Sequence, residues 1–301
     1  MAGFKDTDVV DQSGKTFFIT GGNSGVGFET AKVLASRNAR VIIGCRNPDK
    51  AKTAIDTIER LYPAADVKVV SIDLADIDSV KLAAIEVKKE SHLNVLINNA
   101  GIMVPPLEHT AQGFESQFGV NHLGPFALTS LLLDKLAETP GARVINTSSL
   151  AHQTGSINFS DINAEKFYNA GVRYSQSKLA NLLFSNELQR RLSEAESSTL
   201  SIACHPGIAD TALFRHLPPL VQYATPFFRM FINTSAQGAW PTLKAATDNN
   251  LRGGEYCGPN RIGEGSGPAG LARSSYFSKD KALAKRLWDL SIEMTGIDPG
   301  I

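Results

Sequence analysis

Tyr174 and Lys178 lie four positions apart in the segment VRYSQSKLANLLFSNEL, residues 172–188, whose apolar residues recur with helical period. On a helix this spacing brings two side chains to one face. A free phenol has a pKa near ~10, so proton exchange at neutral pH requires a decrease of roughly three units. An ammonium group about 4 Å away supplies an interaction of that order. The pair predicts a tyrosine general acid tuned by lysine, although a solvent-facing tyrosine beside a salt-bridging lysine would have the same spacing.

Short β-branched runs alternate with amphipathic segments along the chain. Because the runs are continuously apolar, they indicate strands covered on both faces, and hence a parallel sheet with helical crossovers. We expect an α/β, Rossmann-type doubly wound sheet of about seven strands with helices on both faces. No linker or repeat interrupts the pattern, which predicts a single domain over residues 1–301. The predicted strands are 15–20, 39–44, 67–72, 94–98, 143–148 and 200–204.

A glycine-rich turn, TGGNSGVG, follows the first predicted strand. Gly21, Gly25 and Gly27 would let the backbone approach a pyrophosphate that lies at the N-terminus of the next helix. The second strand ends in IIGCRNPDK without a carboxylate, and Arg46 is placed to pair with a 2′-phosphate. The turn therefore predicts a dinucleotide site, and Arg46 favours NADP(H) over NAD(H). Alternatively, the glycines serve packing and Arg46 caps the strand end in solvent.

The overall composition argues against several classes of protein. Thirty basic and thirty acidic residues balance, so no global field favours nucleic acid or an anionic membrane. The N-terminal segment is polar, and no apolar stretch is long enough to span a bilayer, so we expect a cytoplasmic protein without a membrane anchor. The three cysteines are far apart in sequence and are expected to be isolated thiols. No histidine has metal-ligand spacing, so no metal is expected, and His122 and His205 are expected at the rim of the site.

Two stretches depart from the strand–helix pattern: 150–172, and 208–233 with its three prolines. A long apolar connection after a strand's carboxyl end is typical of a substrate lid, which we place at about 208–235. A surface helix pair packed on the core is the alternative. The lid composition predicts a lipophilic ketone, aldehyde or alcohol as substrate. Its apolar side chains include Leu213, Phe214, Leu217, Val221, Tyr223, Phe227 and Phe228.

Across nearly its whole length the chain resembles the short-chain dehydrogenase/reductase family. The matching segments are TGGNSGVG, SIDLAD, NNAG, FGVNHLGPF, the serine pair that ends the fifth strand, YSQSK and HPGIADT. RNPDKA, NTSSLAH, EKFYNAGVRYSQSKLANLLF and AKRLWDLSIEMTG are most similar to the retinol dehydrogenase-like branch. The resemblance does not carry retinoid activity with it.

The resemblance implies four catalytic residues: Asn121, Ser149, Tyr174 and Lys178. Tyr174 would donate the proton, Ser149 would hold the carbonyl oxygen, Lys178 would bind the nicotinamide ribose, and Asn121 would hold a water molecule. Ser148 would point to the opposite face of its strand. Ile208 would offer its backbone to the carboxamide. The implied cofactor-binding residues are Gly21, Asn23, Ser24, Gly25, Val26, Gly27, Arg46, Asp73, Leu74, Asn99, Ala100, Gly101, Tyr174, Lys178, Pro206, Gly207, Ile208 and Thr211.

The predicted function is an NADP(H)-dependent oxidoreductase, a short-chain alcohol dehydrogenase or carbonyl reductase. It would interconvert a carbonyl and an alcohol on a lipophilic small molecule. The alternative is a catalytically silent NADP-binding regulatory or scaffold protein of the same fold. A nucleotide-sugar epimerase or dehydratase is disfavoured, since only about ninety residues follow the sixth strand. The long gap between Ser149 and Tyr174 would cover a helix face used for assembly, which predicts a monomer or homodimer with a homotetramer as the alternative.

Overall fold

The computed structural model describes residues 3–208 and 233–301. Eight strands lie in one sheet in these ranges, with the order β3-β2-β1-β4-β5-β6-β7-β8. The first six match the predicted strands to within about one residue at each end. The sequence analysis missed the last two because both are short. The strands are β1 (Thr16–Thr20), β2 (Arg40–Cys45), β3 (Asp66–Ser71), β4 (Val95–Asn98), β5 (Arg143–Thr147), β6 (Leu200–Cys204), β7 (Tyr256–Pro259) and β8 (Ala269–Leu271).

The sheet is parallel from β3 to β7, and β8 alone pairs antiparallel, with β7. In the described part of the chain, seven longer helices cover both faces, as expected for a doubly wound fold. They are α1 (Gly25–Ala35), α2 (Pro48–Leu61), α3 (Ile77–Lys88), α4 (Gly124–Ala137), α5 (Ala170–Glu194), α6 (Ser235–Thr247) and α7 (Lys281–Thr295).

Two hydrophobic clusters hold the helices to the sheet. Phe17 and Ile19 of β1 pack in one cluster with α1, α2 and α6. Phe18, between them in sequence, packs in the other with α3, α4, α5 and α7. Phe17, Phe18 and Ile19 are all fully buried. Neighbouring residues of a strand point to opposite faces, and one of the two clusters covers each face.

The order of the strands reverses beside β1. The chain passes from β1 to β2 and β3 on one side, and β4 pairs with the other side of β1. Ligands of open α/β sheets bind outside the carboxyl ends of strands at such a reversal. The fold therefore creates a crevice where β1 and β4 end.

The connection between β5 and α5 packs on the outer face of α5, as the sequence predicted. Phe159 in the connection belongs to the same cluster as Leu179 and Leu183 of α5. The sequence analysis did not anticipate that α7 covers this face as well, through Leu287. The guanidinium of Arg286 lies 3.9 Å from the centre of the Phe159 ring, which ties α7 to the connection.

The three cysteines are free thiols, although two of them lie on neighbouring strands. Cys204 of β6 and Cys257 of β7 occupy directly paired positions, although 53 residues separate them in sequence. Cys45, Cys204 and Cys257 are all free and buried. Within the described ranges, none of the helices combines the length and apolar character needed to cross a membrane.

Candidate active site

The glycine-rich turn lies directly against the end of β4. Gly21 has a φ of +68°, and a Cβ there would be 3.1 Å from the Cα of Ala100. At Gly27 a Cβ would be 2.4 Å from both the Asn99 side chain and the Gly21 carbonyl oxygen. Larger residues at either position would push β1 and β4 apart. The glycines thus let the turn and the NNAG segment form one continuous wall.

Thr20 and Asn99 hold this wall together with hydrogen bonds. The Thr20 hydroxyl accepts the backbone N–H groups of Asn99 and Ala100, at 3.0 and 3.1 Å. The Asn99 side-chain amide donates to the Thr20 carbonyl at 2.9 Å. The Asn99 side chain therefore holds the end of β4 against the end of β1. Sequence analysis missed Thr20, because a strand-end threonine carries no motif of its own.

A cleft of about 200 Å³ opens in front of this wall. Of the predicted cofactor residues, Gly21, Asn23, Arg46, Asp73, Leu74, Ala100 and Gly101 line it. Ser24 precedes the first turn of α1, and Gly25, Val26 and Gly27 form that turn, next to the cleft. Residues that the sequence did not single out also line it: Thr20, Gly44, Cys45, Asn47, Lys50, Ile72, Ile102 and Val120.

Two cations border the cleft beyond β2. Arg46 is largely exposed, and its nearest carboxylate oxygen is that of Asp73 at 3.9 Å. Such an exposed pair contributes little, which leaves the guanidinium available to a ligand. Asn47 caps α2 by accepting the backbone N–H of Lys50 at 2.9 Å, which places Lys50 in the first turn at the cleft. From the sequence, Arg46 alone was expected to bind a 2′-phosphate, although the segment RNPDK contains both cations.

Lys178 reaches the opposite end of the cleft from inside the protein. Its side chain is only 5% exposed, and its Nζ donates to the Thr147 carbonyl at 3.4 Å. A Cβ built on Gly101 would be 3.4 Å from Nζ, so the amine lies beside a residue that lines the cleft. Burial lowers the pKa of Lys178 to about 8. The amine thus remains mostly charged at neutral pH.

Tyr174 lies one helical turn before Lys178, whose Nζ is 5.7 Å from the centre of the tyrosine ring. The expectation that the lysine lowers the pKa of Tyr174 is wrong for the free protein. Burial raises that pKa, and a hydrogen bond with the Ser149 side chain opposes the rise. The physical reason is that the tyrosine and the lysine share one desolvated region, which penalises the phenolate and the ammonium alike.

The two serines after β5 have different surroundings. The Ser148 hydroxyl is buried and donates to the Lys178 carbonyl at 2.8 Å. Ser149 is half-buried, its hydroxyl oxygen accepts the backbone N–H of Ala151 at 3.2 Å, and its hydroxyl also hydrogen-bonds with the Tyr174 side chain. These contacts support the choice of Ser149 over Ser148.

Asn121 is fully buried in a π-helical turn, Gly119–Leu123, immediately before α4. Its side chain accepts the Ile102 N–H at 2.8 Å and donates to the Ile102 carbonyl and the Ser177 hydroxyl, both at 2.9 Å. Both amide hydrogens are therefore used. A water molecule at Asn121, as predicted, would have to donate to its side-chain or backbone oxygen.

Gln117, four residues before Asn121, holds the same loop at a second point. It is fully buried, and its Oε1 accepts the Val104 N–H at 2.9 Å. Its Nε2 donates to the Ala170 carbonyl at 2.9 Å, at the start of α5. Val104 has a φ of +54°, a strained conformation for a β-branched residue that needs such support. The i,i+4 spacing from Asn121 was the only sequence signal for Gln117.

The strip after β6 is only partly open to a ligand. The Ile208 N–H donates to the Gly265 carbonyl at 2.8 Å, and its carbonyl accepts the Asn233 N–H at 2.8 Å. Of the two backbone groups of Ile208 that we expected to offer to a carboxamide, the N–H is therefore already occupied, and the carbonyl accepts one hydrogen bond from the residues that the structure describes. Asn233 also donates its side-chain amide to the Pro206 carbonyl at 3.0 Å. Thr211 and the predicted lid, apart from its ends, lie outside the described residues.

The two histidines predicted at the rim are both buried, because apolar and aromatic neighbours enclose them. His122 bonds to the Ser291 hydroxyl at 2.9 Å, and burial lowers its pKa to about 3. His205 packs on the ring of Tyr256 with 5.1 Å between ring centres. Neither lies at the rim.

The family model for short chain dehydrogenase matches residues 15–219, more than half of the sequence. The chain belongs to the short-chain dehydrogenase family. Human retinol dehydrogenase 11 is 41% identical over 292 residues, which cover 97% of this chain and 89% of the relative. The rapeseed chloroplastic short-chain dehydrogenase TIC 32 B is 39% identical, with 96% and 91% covered.

A crystal structure of an uncharacterised protein from Mycobacterium paratuberculosis superposes on this short-chain dehydrogenase with a TM-score of 0.83. The two are 40% identical, and all of both chains is covered. The protein is thus an oxidoreductase of a family that binds NAD(P). Its site fits such a dinucleotide, since the glycine turn leaves no side chain between the wall and the cleft, and Lys178 borders the cleft at Gly101.

Replacement of Gln117 by alanine is expected to loosen the loop 102–107 and the segment before α5. The loss of two buried hydrogen bonds removes the connection between Val104 and Ala170. Hydrogen–deuterium exchange should therefore accelerate in both segments. Gln112→Ala is the matched control, because Gln112 instead bonds to Ile77 and Asp76 near α3. Equal exchange in Gln117→Ala and the wild type would contradict this role.

The buried amine of Lys178 predicts a pH-dependent difference in stability from Lys178→Met. The folded-state pKa of about 8 lies below the ordinary lysine value of 10.5, so between these values the unfolded chain binds more protons. The free energy of unfolding of the wild type should therefore rise relative to Lys178→Met as the pH increases through this window. The gain should approach about 3 kcal/mol.

Urea denaturation of both proteins between pH 7 and 10 measures this difference. Lys52→Met is the control, because its exposed amine is paired with Asp56, which raises rather than lowers its pKa. A pH-independent difference between the wild type and Lys178→Met would show that the Lys178 amine is not desolvated in solution.

Proposed function

We propose that the protein is an NADP(H)-dependent oxidoreductase that interconverts a carbonyl and an alcohol on a lipophilic small molecule. The observation that supports the proposal is the proximity of Tyr174 to two other predicted catalytic residues: its side chain hydrogen-bonds with Ser149, and the Lys178 Nζ lies 5.7 Å from its ring centre. Lys178 also lies beside Gly101, which lines the cleft. The side-chain bonds of Asn121 to the Ile102 backbone hold the loop beside them. A binding or scaffold protein has no need of this combination.

Tyr174 is the proposed proton donor. Its raised pKa keeps the phenol protonated at neutral pH, which is the state needed to donate to a carbonyl oxygen. The hydroxyl of Ser149, which hydrogen-bonds with Tyr174 in the free protein, would donate to the same oxygen when substrate is bound and polarise the carbonyl. The chemistry that NADPH would supply when bound is a hydride for the carbonyl carbon, and Tyr174 would supply the proton that completes the alcohol.

Lys178 would contribute a charge rather than a proton. Its ammonium is held in a desolvated place beside Gly101, so it favours hydroxyl oxygens of a ligand and negative charge developing on Tyr174. This electrostatic effect is largest during proton transfer, when the phenol acquires phenolate character. Lys178 therefore assists Tyr174 in the transition state even though burial raises the tyrosine pKa in the free protein.

NADP(H) is the proposed cofactor because two cations border the cleft beyond β2. Arg46 and Lys50 both line it, and the one nearby carboxylate, Asp73, has Arg46 beside it at 3.9 Å. A 2′-phosphate accepts hydrogen bonds from both kinds of cation. NAD(H) lacks the 2′-phosphate, so it offers no charged group to these two cations.

A lipophilic substrate is proposed from the apolar side chains near the catalytic tyrosine. Val104 is 51% exposed and is tied to the start of α5 through Gln117. Phe167 and Val172, on the approach to Tyr174, are 66% and 53% exposed. The hydroxyl of Tyr168 donates to the Pro105 carbonyl at 2.6 Å and links the two segments. Apolar surfaces of this kind bind hydrocarbon parts of ligands.

Replacement of Tyr174 by phenylalanine should lower kcat for carbonyl reduction by at least ~10²-fold, the contribution of a general acid. Loss of NADPH absorbance with a panel of aromatic, aliphatic, steroid and terpenoid carbonyls measures the activity. NADPH binding, followed by fluorescence, should persist because the ring remains. Turnover close to that of the wild type in the variant would refute the proposed role.

Arg46→Ala and Lys50→Ala should each raise KM for NADPH by about 10-fold, since each removes a charge-assisted hydrogen bond. KM for NADH should change little. Lys52→Ala is the control, because Lys52 lies two residues further along α2 and does not line the cleft. A wild-type protein with higher kcat/KM for NADH than for NADPH would overturn the cofactor assignment.

A further inference from the structure

His152 lies directly behind Ser149 and is fully buried. The two residues belong to a short 3-10 segment in which Ser149 is the N-cap of Leu150–Thr154. The Ser149 carbonyl accepts two hydrogen bonds from His152, one from its backbone N–H at 3.1 Å and one from its Nδ1 at 2.6 Å. The backbone and the imidazole of His152 thus both bind the carbonyl oxygen of Ser149.

The hydrogen bonds of the His152 ring determine its tautomer. The backbone N–H of Ser275 donates to Nε2 at 3.1 Å, so Nε2 carries no proton. A neutral imidazole then carries its single proton on Nδ1, where it is donated to the Ser149 carbonyl. Burial lowers the pKa of His152, which keeps the ring neutral at pH 7. Both ring nitrogens of His152 are therefore hydrogen-bonded to backbone groups.

The ring is also fixed from the side by Tyr256 of β7. Its ring stands perpendicular to that of His152, with 5.6 Å between the ring centres. His205, on the next strand, packs against the same tyrosine. The His152 side chain is held by two hydrogen bonds and an edge-to-face contact, so it has little conformational freedom. It can therefore fix the position of the Ser149 backbone to which it is bonded.

We propose that His152 is a positioning residue for Ser149, and that its Nδ1–H fixes the serine backbone so that the hydroxyl proton points to the substrate oxygen. The inference rests on the proposed function, because it needs Ser149 to hold the carbonyl. His152 itself touches neither the cleft nor the reacting atoms. Its effect on turnover passes entirely through Ser149.

Two variants separate the roles of the ring nitrogens. In His152→Asn the amide nitrogen stands where Nδ1 was, and it can still donate to the Ser149 carbonyl. In His152→Gln the amide lies one bond further out, in the place of Nε2, and cannot make this bond. We expect Gln to lower kcat about 10-fold or more, because small misplacements of a reacting group are costly. Asn should restore most of kcat, and KM for NADPH should not change in either.

The double variant Ser149→Ala/His152→Gln tests whether His152 acts through the serine. If it does, the Gln substitution has no further effect on kcat once the hydroxyl is gone. A merely structural role would lower kcat by the same factor in both backgrounds. His92→Gln is the matched control, since His92 lies before the amino end of β4, away from the carboxyl ends of the strands, and bonds to the Gly14 carbonyl.

Nitrogen NMR of histidine-labelled wild type provides a readout that needs no variant to retain activity. The His152 signal, assigned by its loss in His152→Asn, should show a protonated Nδ1 and an unprotonated Nε2. The opposite tautomer would overturn the inference, as would wild-type kcat in a folded His152→Gln protein. If instead Ser149→Ala alone retains full turnover, the proposed function of the site fails, whatever His152 does.

Discussion

The site depends on one buried charge. The ammonium of Lys178 is almost completely removed from solvent, and among the residues that the structure describes a single backbone carbonyl, that of Thr147, accepts a hydrogen bond from it at 3.4 Å. Removing such a charge from water is costly unless other groups compensate. The compensation here is incomplete, since its pKa falls to about 8. The protein therefore keeps a cation whose remaining hydrogen-bonding capacity is directed at whatever occupies the cleft beside Gly101.

Holding that charge requires a rigid surrounding, and buried polar side chains supply it. Asn121 and Gln117 fasten the loop after β4, Thr20 joins the ends of β1 and β4, and Asn233 fastens the strip after β6. Each uses its side chain on backbone groups that no regular element satisfies. Such bonds cost little when complete and are expensive to break, which makes the loops around the site as well determined as the sheet.

The relatives agree on the chemistry and differ in what their names imply about substrate. A retinol dehydrogenase and a chloroplastic short-chain dehydrogenase share 41% and 39% of their aligned residues with this chain. The chain is nearly equally similar to two proteins with different names. Overall identity therefore indicates the fold and the reaction type, but it does not indicate the substrate. The proposed substrate end consists of exposed apolar residues such as Val104 and Phe167, on loops of the kind that vary most readily between relatives.

The sequence by itself determined the doubly wound fold, the glycine turn and the family, because strand periodicity and short motifs are local properties. It also selected Ser149 over Ser148 from the alternation of a strand. Only the tertiary structure decided the electrostatics: the pKa of Tyr174 is raised, because burial outweighs the hydrogen bond with Ser149. It likewise placed His205 inside the core and made Gln117 and His152 part of the site. Desolvation and hydrogen-bond partners depend on residues far apart in the chain, and no spacing within one segment reveals them.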